Sequence, residues 1–249
     1  MDPEAHMRLV TNSGTDRVIE ALRQADSPDG SLDLASSAFS LFAMYELRDV
    51  LAHQEHSRLI LPLQGESDIG LLGSPADRAA RNRLQTSWLA RQCAQWVQEK
   101  AAVRSSALPL PQSIYVVHNA DGHTGRVITG SCPLTTDGLG LTPGNHANLI
   151  QCAESEEEVA ILSDWYESLW HAMPDSTHAK DYLLAQLRAL SDRLPASRIY
   201  YQVLLELFRT RGDELDEEAV VKSATGIRNT VVWKKLYKFQ RDGVVGAID

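Results

Sequence analysis

The sequence predicts an α/β fold with a mixed sheet, followed by an α-helical extension. Two buried apolar segments, 31–37 and 58–61, flank a helical pattern, and a strand–helix–strand unit of this length implies a right-handed parallel crossover. A polar turn at 119–122 joins two further apolar segments, which is typical of an antiparallel hairpin. From Ser155 onward the apolar spacing is helical only.

The elements before the hairpin follow from apolar spacing and from residues that start or end helices. Val18, Ile19 and Leu22 recur at helical spacing, and a Ser-Pro-Asp-Gly turn follows them. Ser74 and Pro75 are typical of a helix cap and a first helical position. The predicted elements are a helix over 16–24, a strand over 31–37, a helix over 41–53, a strand over 58–61 and a helix from Ser74 to about Arg104.

The segment Leu108–Pro111 interrupts the pattern, and the hairpin comes after it. The predicted later elements are strands over 113–118 and 126–132, a Gly/Thr/Pro-rich loop over 133–146, a short strand over 147–152 and helices beyond it. We expect a flexible lead over residues 1–15, an α/β domain over 16–153 and a helical linker domain over 154–228.

The composition of the 249 residues is that of a globular protein, with 43% hydrophobic and 23% charged residues. We find neither an apolar run long enough to cross a bilayer nor a secretory leader, so we expect a cytoplasmic protein without membrane contact. The cysteines Cys93, Cys132 and Cys152 have no zinc-type spacing, and we expect no metal site and no disulfide framework.

The formal charge of −9 constrains any nucleic-acid interface, because proteins that bind DNA through its phosphates usually carry a basic surplus. The acids are concentrated in two clusters, so basic patches can exist elsewhere. One basic set lies on the predicted helix after Ser74, and it comprises Arg78, Arg81, Arg83, Arg91, Lys100 and Arg104. A second set, near the C-terminus, comprises Arg228, Lys234, Lys235, Lys238 and Arg241.

The α/β part combines the small-residue strand 34–39, the crossover and the hairpin with Gly130 and Ser131 after the second hairpin strand. With these features it resembles one half of a phospholipase D-like domain. In active members a His-x-Lys pair on the first hairpin strand provides the nucleophile and a cation, and a Gly-Ser-x-Asn segment opens the next loop. Here Pro111 and Ser113 occupy the His and Lys positions, and Pro133 replaces the Asn. The resemblance therefore implies a catalytically inactive module.

The remaining candidates for chemistry are His118 and His123, which flank Asp121 at the hairpin turn, and Ser131. Two further matches to the His-x-Lys letters are weaker, because 178–180 lies in a helical pattern and 56–58 lies on the crossover strand. An active phosphodiesterase would have to use His118 or His123 in place of the lost pair.

Residues 233–244 resemble the adenine-reading segment of Swi/Snf-type DEAD/DEAH-box helicases, in which a glutamine and aromatic residues contact the base. The matching residues are Gln240, Tyr237 and Phe239. In that family a phosphate-binding loop follows about two dozen residues later, and Asp249 ends the sequence before it. We interpret 229–249 as the start of a helicase ATPase domain. The resemblance implies that this segment by itself binds no cofactor. It also implies that the full-length protein uses ATP and magnesium.

The two resemblances together imply a non-catalytic N-terminal module of an ATP-dependent DNA helicase or translocase, acting in bacterial restriction or anti-phage defence. We expect DNA contact through Arg78, Arg81 and Arg83, through the loop 131–146, and through Lys234 and Lys235. A homodimer or a defence-system partner protein is also compatible with the sequence. Two alternatives stay open: a dimeric phospholipase D-like nuclease, and a protein-interaction or oligomerisation domain presenting Trp88, Trp96, Trp165 and Trp170.

Overall fold

The computed structural model describes residues 7–63, 69–82, 85–107, 109–144, 147–174, 177–192, 200–201, 203–204, 231–237 and 240–241. Its strands are β1 (Arg8–Leu9), β2 (Ser31–Ala35), β3 (His56–Leu61), β4 (Ala101–Ser105), β5 (Ser113–His118), β6 (Thr124–Gly130) and β7 (Ile150–Ala153). Its α-helices are α1 (Val18–Ala25), α2 (Leu41–Glu46), α3 (Arg48–His53), α4 (Arg78–Asn82), α5 (Thr86–Lys100), α6 (Glu156–Ala172), α7 (Thr177–Ser191) and α8 (Val231–Lys235).

The strands form one mixed sheet in the order β1-β7-β6-β5-β2-β3-β4. β2, β3 and β4 are parallel to one another, and the other neighbouring pairs are antiparallel. The predicted α/β class, the parallel crossover from β2 to β3 and the hairpin of β5 and β6 are therefore confirmed. Since β6 runs parallel to β2, the carboxyl ends of β2, β3, β4 and β6 meet at one edge, where β5 begins.

Each face of the sheet has its own apolar core, because successive side chains of a strand point to opposite faces. One core contains Tyr115 and Val117 of β5 together with residues of α1, α2, α3, α5 and α7. The other core contains Ile114 and Val116, and α6 covers it with residues that include Tyr166. The second face also holds the charged side chains that are described below.

The prediction of a single helix from Ser74 to Arg104 is wrong. A 3₁₀ turn, Pro75–Asp77, leads into the short α4, and α5 ends at Lys100. The chain then continues at once as β4, which pairs in parallel with β3. Its alternating burial places Ala101 and Val103 inside, so pairing with β3 overrides the helical pattern that precedes it. The predicted helix 41–53 is likewise divided into α2 and α3, at Leu47.

The chain separates into two compact units, Met1–Pro195 and Ala196–Asp249. In the first unit, α7 packs against α5 and β4, and α6 packs against β5 and β6. These two helices, which the sequence placed in a linker domain, therefore contribute to the same cores as the sheet. In the second unit the described residues include α8, whose Trp233 is buried. Within the described part of the chain, every helix is too short or too polar to cross a membrane.

Candidate functional site

The start of β5 and the end of β6 hold the positions that match the catalytic motif of phospholipase D-like enzymes. Ser113 pairs with Gly130 across the hairpin. The Ser113 residue is only 1% exposed, and its hydroxyl lies 3.4 Å from the hydroxyl of Ser36. This position therefore provides a buried neutral hydroxyl and no cation.

Gly130 has a structural reason to be glycine. Its φ angle is +133°, and a Cβ atom would lie 2.1 Å from the carbonyl oxygen of Leu149. The next residue, Ser131, donates its backbone N–H to that same oxygen at 2.9 Å. The close approach of the two chain segments therefore excludes a side chain at this position, whatever the function of the hairpin end.

The two histidine candidates lie at the opposite edge of the sheet. His118 ends β5, five residues after Ser113, which corresponds to roughly 17 Å along an extended strand. His123 is exposed in the turn of the hairpin, where its backbone N–H donates to Asp121 Oδ1 at 3.0 Å. The structure therefore does not bring either histidine to Ser131, and neither can replace the lost pair at the hairpin end.

His118 belongs to a charged network on the face covered by α6. Its Nε2 atom lies 2.8 Å from Asp33 Oδ2, and the side chain of Asp33 is only 2% exposed. Arg58 donates from Nε to Asp33 Oδ1 at 2.9 Å and makes a second hydrogen bond from its terminal nitrogen to Oδ2. The Arg58 guanidinium also pairs with Glu167 of α6 and lies 5.3 Å from the ring centre of Trp170. Every charged group of this network thus has a partner of opposite sign.

The pKa values of the network follow from these contacts. Burial raises the pKa of Asp33, but the hydrogen bonds from Arg58 and His118 outweigh burial and hold the pKa below its ordinary value. The hydrogen bond from Arg58 lowers the pKa of Glu167, against an opposing effect of burial. The hydrogen bond to Asp33 is the main cause that raises the pKa of Arg58. The three groups are therefore held in their charged forms.

The network continues from His118 to a pair of hydroxyl groups. The Nδ1 atom of His118 lies 3.0 Å from Thr124 Oγ1, which in turn lies 3.1 Å from Ser163 Oγ on α6. The hydrogen-bonded chain thus runs from a carboxylate through an imidazole to a hydroxyl, which is the order found in the catalytic triads of nucleophilic hydrolases. Beside them a polar cavity of about 300 Å³ is lined by residues that include Asp33, Arg58 and His118.

Sequence reasoning missed Asp33 as a partner of His118. The signal that could have found it is the acid at the centre of the apolar segment 32–34, because a charge inside a buried strand requires a partner. In the sequence, Arg58 is recognisable only as the third residue of the weak motif 56–58. The other weak motif, 178–180, lies in α7, where His178 is exposed.

The predicted DNA-contact residues are only partly brought together. Arg78 is exposed on α4, whereas Arg81 donates to the backbone carbonyls of Leu72 and Ser74 at 2.9 and 2.6 Å. Arg104 lies on β4 and not on the predicted arginine helix, because its segment pairs with β3. Arg83 lies outside the described residues.

The loop that follows β6 is anchored at several points. Asp77, beside α4, accepts a hydrogen bond from Thr136 Oγ1 at 2.5 Å, so the loop is attached to the segment that carries Arg78. The backbone N–H of Leu134 donates to Ser36 Oγ at 2.8 Å, and Leu139 is buried. The predicted contact loop therefore lies at the carboxyl edge of the sheet with a defined conformation. His146, its last residue, lies outside the described part of the chain.

Two of the three residues matched to an adenine-reading segment are described. Tyr237 is 71% exposed, and its backbone N–H donates to Gln240 Oε1 at 3.0 Å. Lys234 and Lys235 are exposed on α8. Phe239 lies outside the described residues.

Among the described residues, no group of three or more His, Cys, Asp or Glu side chains is arranged to hold a metal ion. No protein-family model matches the chain, and no curated protein matches it.

Solved structures of low sequence identity are similar to the chain. Nuc from Salmonella typhimurium, a phospholipase D family member, is 13% identical over 69% of this chain and 97% of its own, with a TM-score of 0.42. NucT from Helicobacter pylori is 10% identical over 69% of this chain and 98% of its own, with a TM-score of 0.41. TrmBL2, an archaeal chromatin protein with a novel mode of DNA binding, is 11% identical over 71% of this chain and 56% of its own, with a TM-score of 0.39.

Proposed function

We propose that this chain is a non-catalytic phospholipase D-like module of a larger ATP-dependent DNA helicase or translocase. In that role it contributes DNA binding, substrate sensing or partner recruitment in bacterial genome defence. The observation that carries the non-catalytic assignment is the hairpin end, where Pro111 stands in place of the nucleophile and Ser113 is buried against Ser36. A proline nitrogen within the chain cannot attack phosphorus, and a serine cannot neutralise a phosphoryl oxygen.

The proposed motor rests on the similarity of residues 233–244 to an adenine-reading segment. In this proposal the exposed ring of Tyr237 and the amide of Gln240 would contact the adenine of ATP, and ATP with magnesium would supply the energy for translocation. Phosphate binding would need a Gly-Lys-Ser/Thr loop, which these residues do not provide. We therefore expect this chain alone neither to hydrolyse ATP nor to bind it tightly.

The proposed DNA contact combines Arg78 with the anchored loop after β6. The hydrogen bond between Asp77 and Thr136 connects the segment that carries Arg78 to this loop. A phosphate of the DNA backbone would therefore bind to a surface with a defined conformation. The net charge of −9 opposes this contact, and only a few phosphates can be neutralised. We expect weak binding that is measurable at low salt.

A second candidate function is a phosphodiesterase, most simply a nuclease that pairs two copies of this half-domain. The observation that favours it is His118, with Asp33 on one ring nitrogen and Thr124 on the other. Such a nuclease would work at the polar cavity beside β2 and β3 and not at the hairpin end.

A cleavage assay separates the two candidates. The purified chain should not cut plasmid, single-stranded DNA or a small phosphodiester, with or without divalent metal, because loss of a covalent nucleophile removes many orders of magnitude of rate. Cleavage that His118→Ala abolishes, and that His123→Ala leaves intact, would establish the nuclease at the polar cavity.

A binding assay tests the DNA contact itself. Affinity for an oligonucleotide should fall as salt rises, with a log–log slope of roughly −0.9 per neutralised phosphate. Arg78→Glu should weaken binding for all sequences and flatten the slope by about one unit. Arg48→Glu, at an exposed arginine on α3, is the matched control. A chain that binds no DNA at low salt but elutes as a dimer would instead favour the interaction domain.

A further inference from the structure

A cavity of about 350 Å³ lies beside α6 at the hairpin end. Its floor is a row of paired residues across the sheet, in which Ile114 pairs with Thr129 and Thr129 pairs with Gln151. The neighbouring row, which includes Val116 and Val127, belongs to the apolar core covered by α6. Ile114 and Thr129 are themselves buried, at 1% and 8% exposed, so the accessible polar part of the lining comes from Gln112, Ser131 and Gln151.

The walls of this cavity combine an aromatic surface with neutral hydrogen-bonding groups. Trp165 of α6 is 44% exposed and forms one wall with Leu162. Gln112 and Gln151 provide amides, and Ser131 provides a hydroxyl. Each amide has both donors and an acceptor. None of the described residues that line this cavity carries a charge.

We propose that this cavity binds an unpaired nucleobase. The base stacks on Trp165, and its polar edge meets the amides of Gln112 and Gln151. A planar heterocycle with donors and acceptors matches such a lining, since unpaired bases are commonly bound by aromatic stacking and edge hydrogen bonds. This inference rests on the proposed function in one respect, because it takes single-stranded DNA as the source of the base. The affinity of the cavity for a free nucleobase does not depend on the proposed function.

The charge distribution indicates that the cavity contacts the base and not the phosphate. The described lining contains no cation, so no side chain of the cavity would neutralise a phosphate held there. Binding of an uncharged nucleoside should therefore be insensitive to salt. This behaviour is the opposite of that expected for Arg78, whose contact with a phosphate weakens as salt rises.

The test uses the indole N–H signals of the ¹⁵N-labelled chain during titration with adenosine or thymidine. The signal that disappears in Trp165→Leu should shift on titration, and the dissociation constant should not change with potassium chloride. Trp165→Leu should weaken nucleoside binding by about tenfold or more, the typical effect of losing a stacking partner. Trp88→Leu is the matched control, because Trp88 is also 44% exposed but lies on α5.

A second series uses single-stranded oligothymidine and an abasic oligonucleotide of the same length. Oligothymidine should bind more tightly than the abasic strand, and Trp165→Leu or Gln151→Ala should remove that difference. Unshifted Trp165 signals with both nucleosides and oligothymidine would overturn the inference.

The two proposals fail in different ways. Strand binding that depends on Arg78 but is unaffected by Trp165→Leu would overturn the base site and leave the proposed function standing. Nucleosides that shift the Trp165 signal, without any strand binding at low salt, would keep the base site with free nucleosides as its ligands and refute the DNA-binding role.

Discussion

Replacement of Arg58 by methionine should destabilise the fold strongly, although Arg58 is partly accessible to solvent. Its guanidinium makes two hydrogen bonds to Asp33 and pairs with Glu167. Methionine keeps an unbranched apolar side chain at this position but removes the charge, the hydrogen bonds and the guanidinium that lies over Trp170. Among the described side chains, Asp33, which is 2% exposed, would then keep His118 as its hydrogen-bonding partner.

The size of the effect follows from the burial of the pair. Removing one partner of a buried ion pair costs about 3–5 kcal/mol, because the other charge stays buried without compensation. Since the Arg58 side chain is 23% exposed, we expect the lower end of that range, about 3 kcal/mol. For a chain of this size the loss corresponds to a decrease in Tm of roughly 6–12 °C.

The pH dependence has a defined sign. The pKa of Asp33 is lowered in the folded state, so its contribution to stability is present above the unfolded pKa of about 3.9 and is lost as pH falls through the lower folded value. Without Arg58, burial raises the pKa of Asp33, and the variant begins to respond to acid at higher pH. The stability difference between the two proteins should therefore be largest near neutral pH and should shrink in acid.

Urea denaturation followed by circular dichroism measures this difference at neutral pH and below about pH 4. Arg48→Met is the matched control, because the Arg48 guanidinium lies 4.2 Å from the Tyr45 ring at the surface and should contribute only about 0.5–1 kcal/mol. If Arg58→Met costs no more than Arg48→Met, or if its cost is the same in acid, the role assigned to the buried network is refuted.

Two further predictions concern the hairpin end and the thiols. Gly130→Ala should destabilise the fold by more than about 2 kcal/mol, because the added Cβ would contact Leu149. The control Gly122→Ala should cost about 1 kcal/mol, because Gly122 has φ +81° but open space around it. Equal urea midpoints for the two variants would contradict this prediction. Burial raises the pKa of the thiol to about 12 for Cys93 and Cys132 and to about 11 for Cys152. A thiol reagent at about pH 8 should therefore label the three cysteines only after unfolding. Rapid labelling of the native protein would contradict this prediction, because it would show that the thiols are accessible.

The local sequence pattern was sufficient to predict the elements whose apolar spacing matches the side of the element that is buried in the structure. The apolar spacing of Val18, Ile19 and Leu22 predicted a helix over 16–24, and α1 spans Val18–Ala25. The crossover from β2 to β3 and the hairpin of β5 and β6 were predicted for the same reason, because their turns and apolar segments are contiguous in the chain. Replacement of the motif residues by Pro111 and Ser113 was visible directly in the sequence.

The tertiary structure decided the features that depend on residues far apart in the chain. β4 is a strand because β3 offers it hydrogen-bonding partners, although Ala101 follows Lys100 directly and no glycine or proline ends the preceding helical pattern. The distance between Ser131 and His118 follows from their places at opposite ends of the hairpin, and the charged state of Asp33 follows from Arg58, 25 positions later. Pairing free energy and burial arise only when such segments meet, so the sequence alone determined the α/β class and the loss of the motif, whereas folding determined which polar groups share a site.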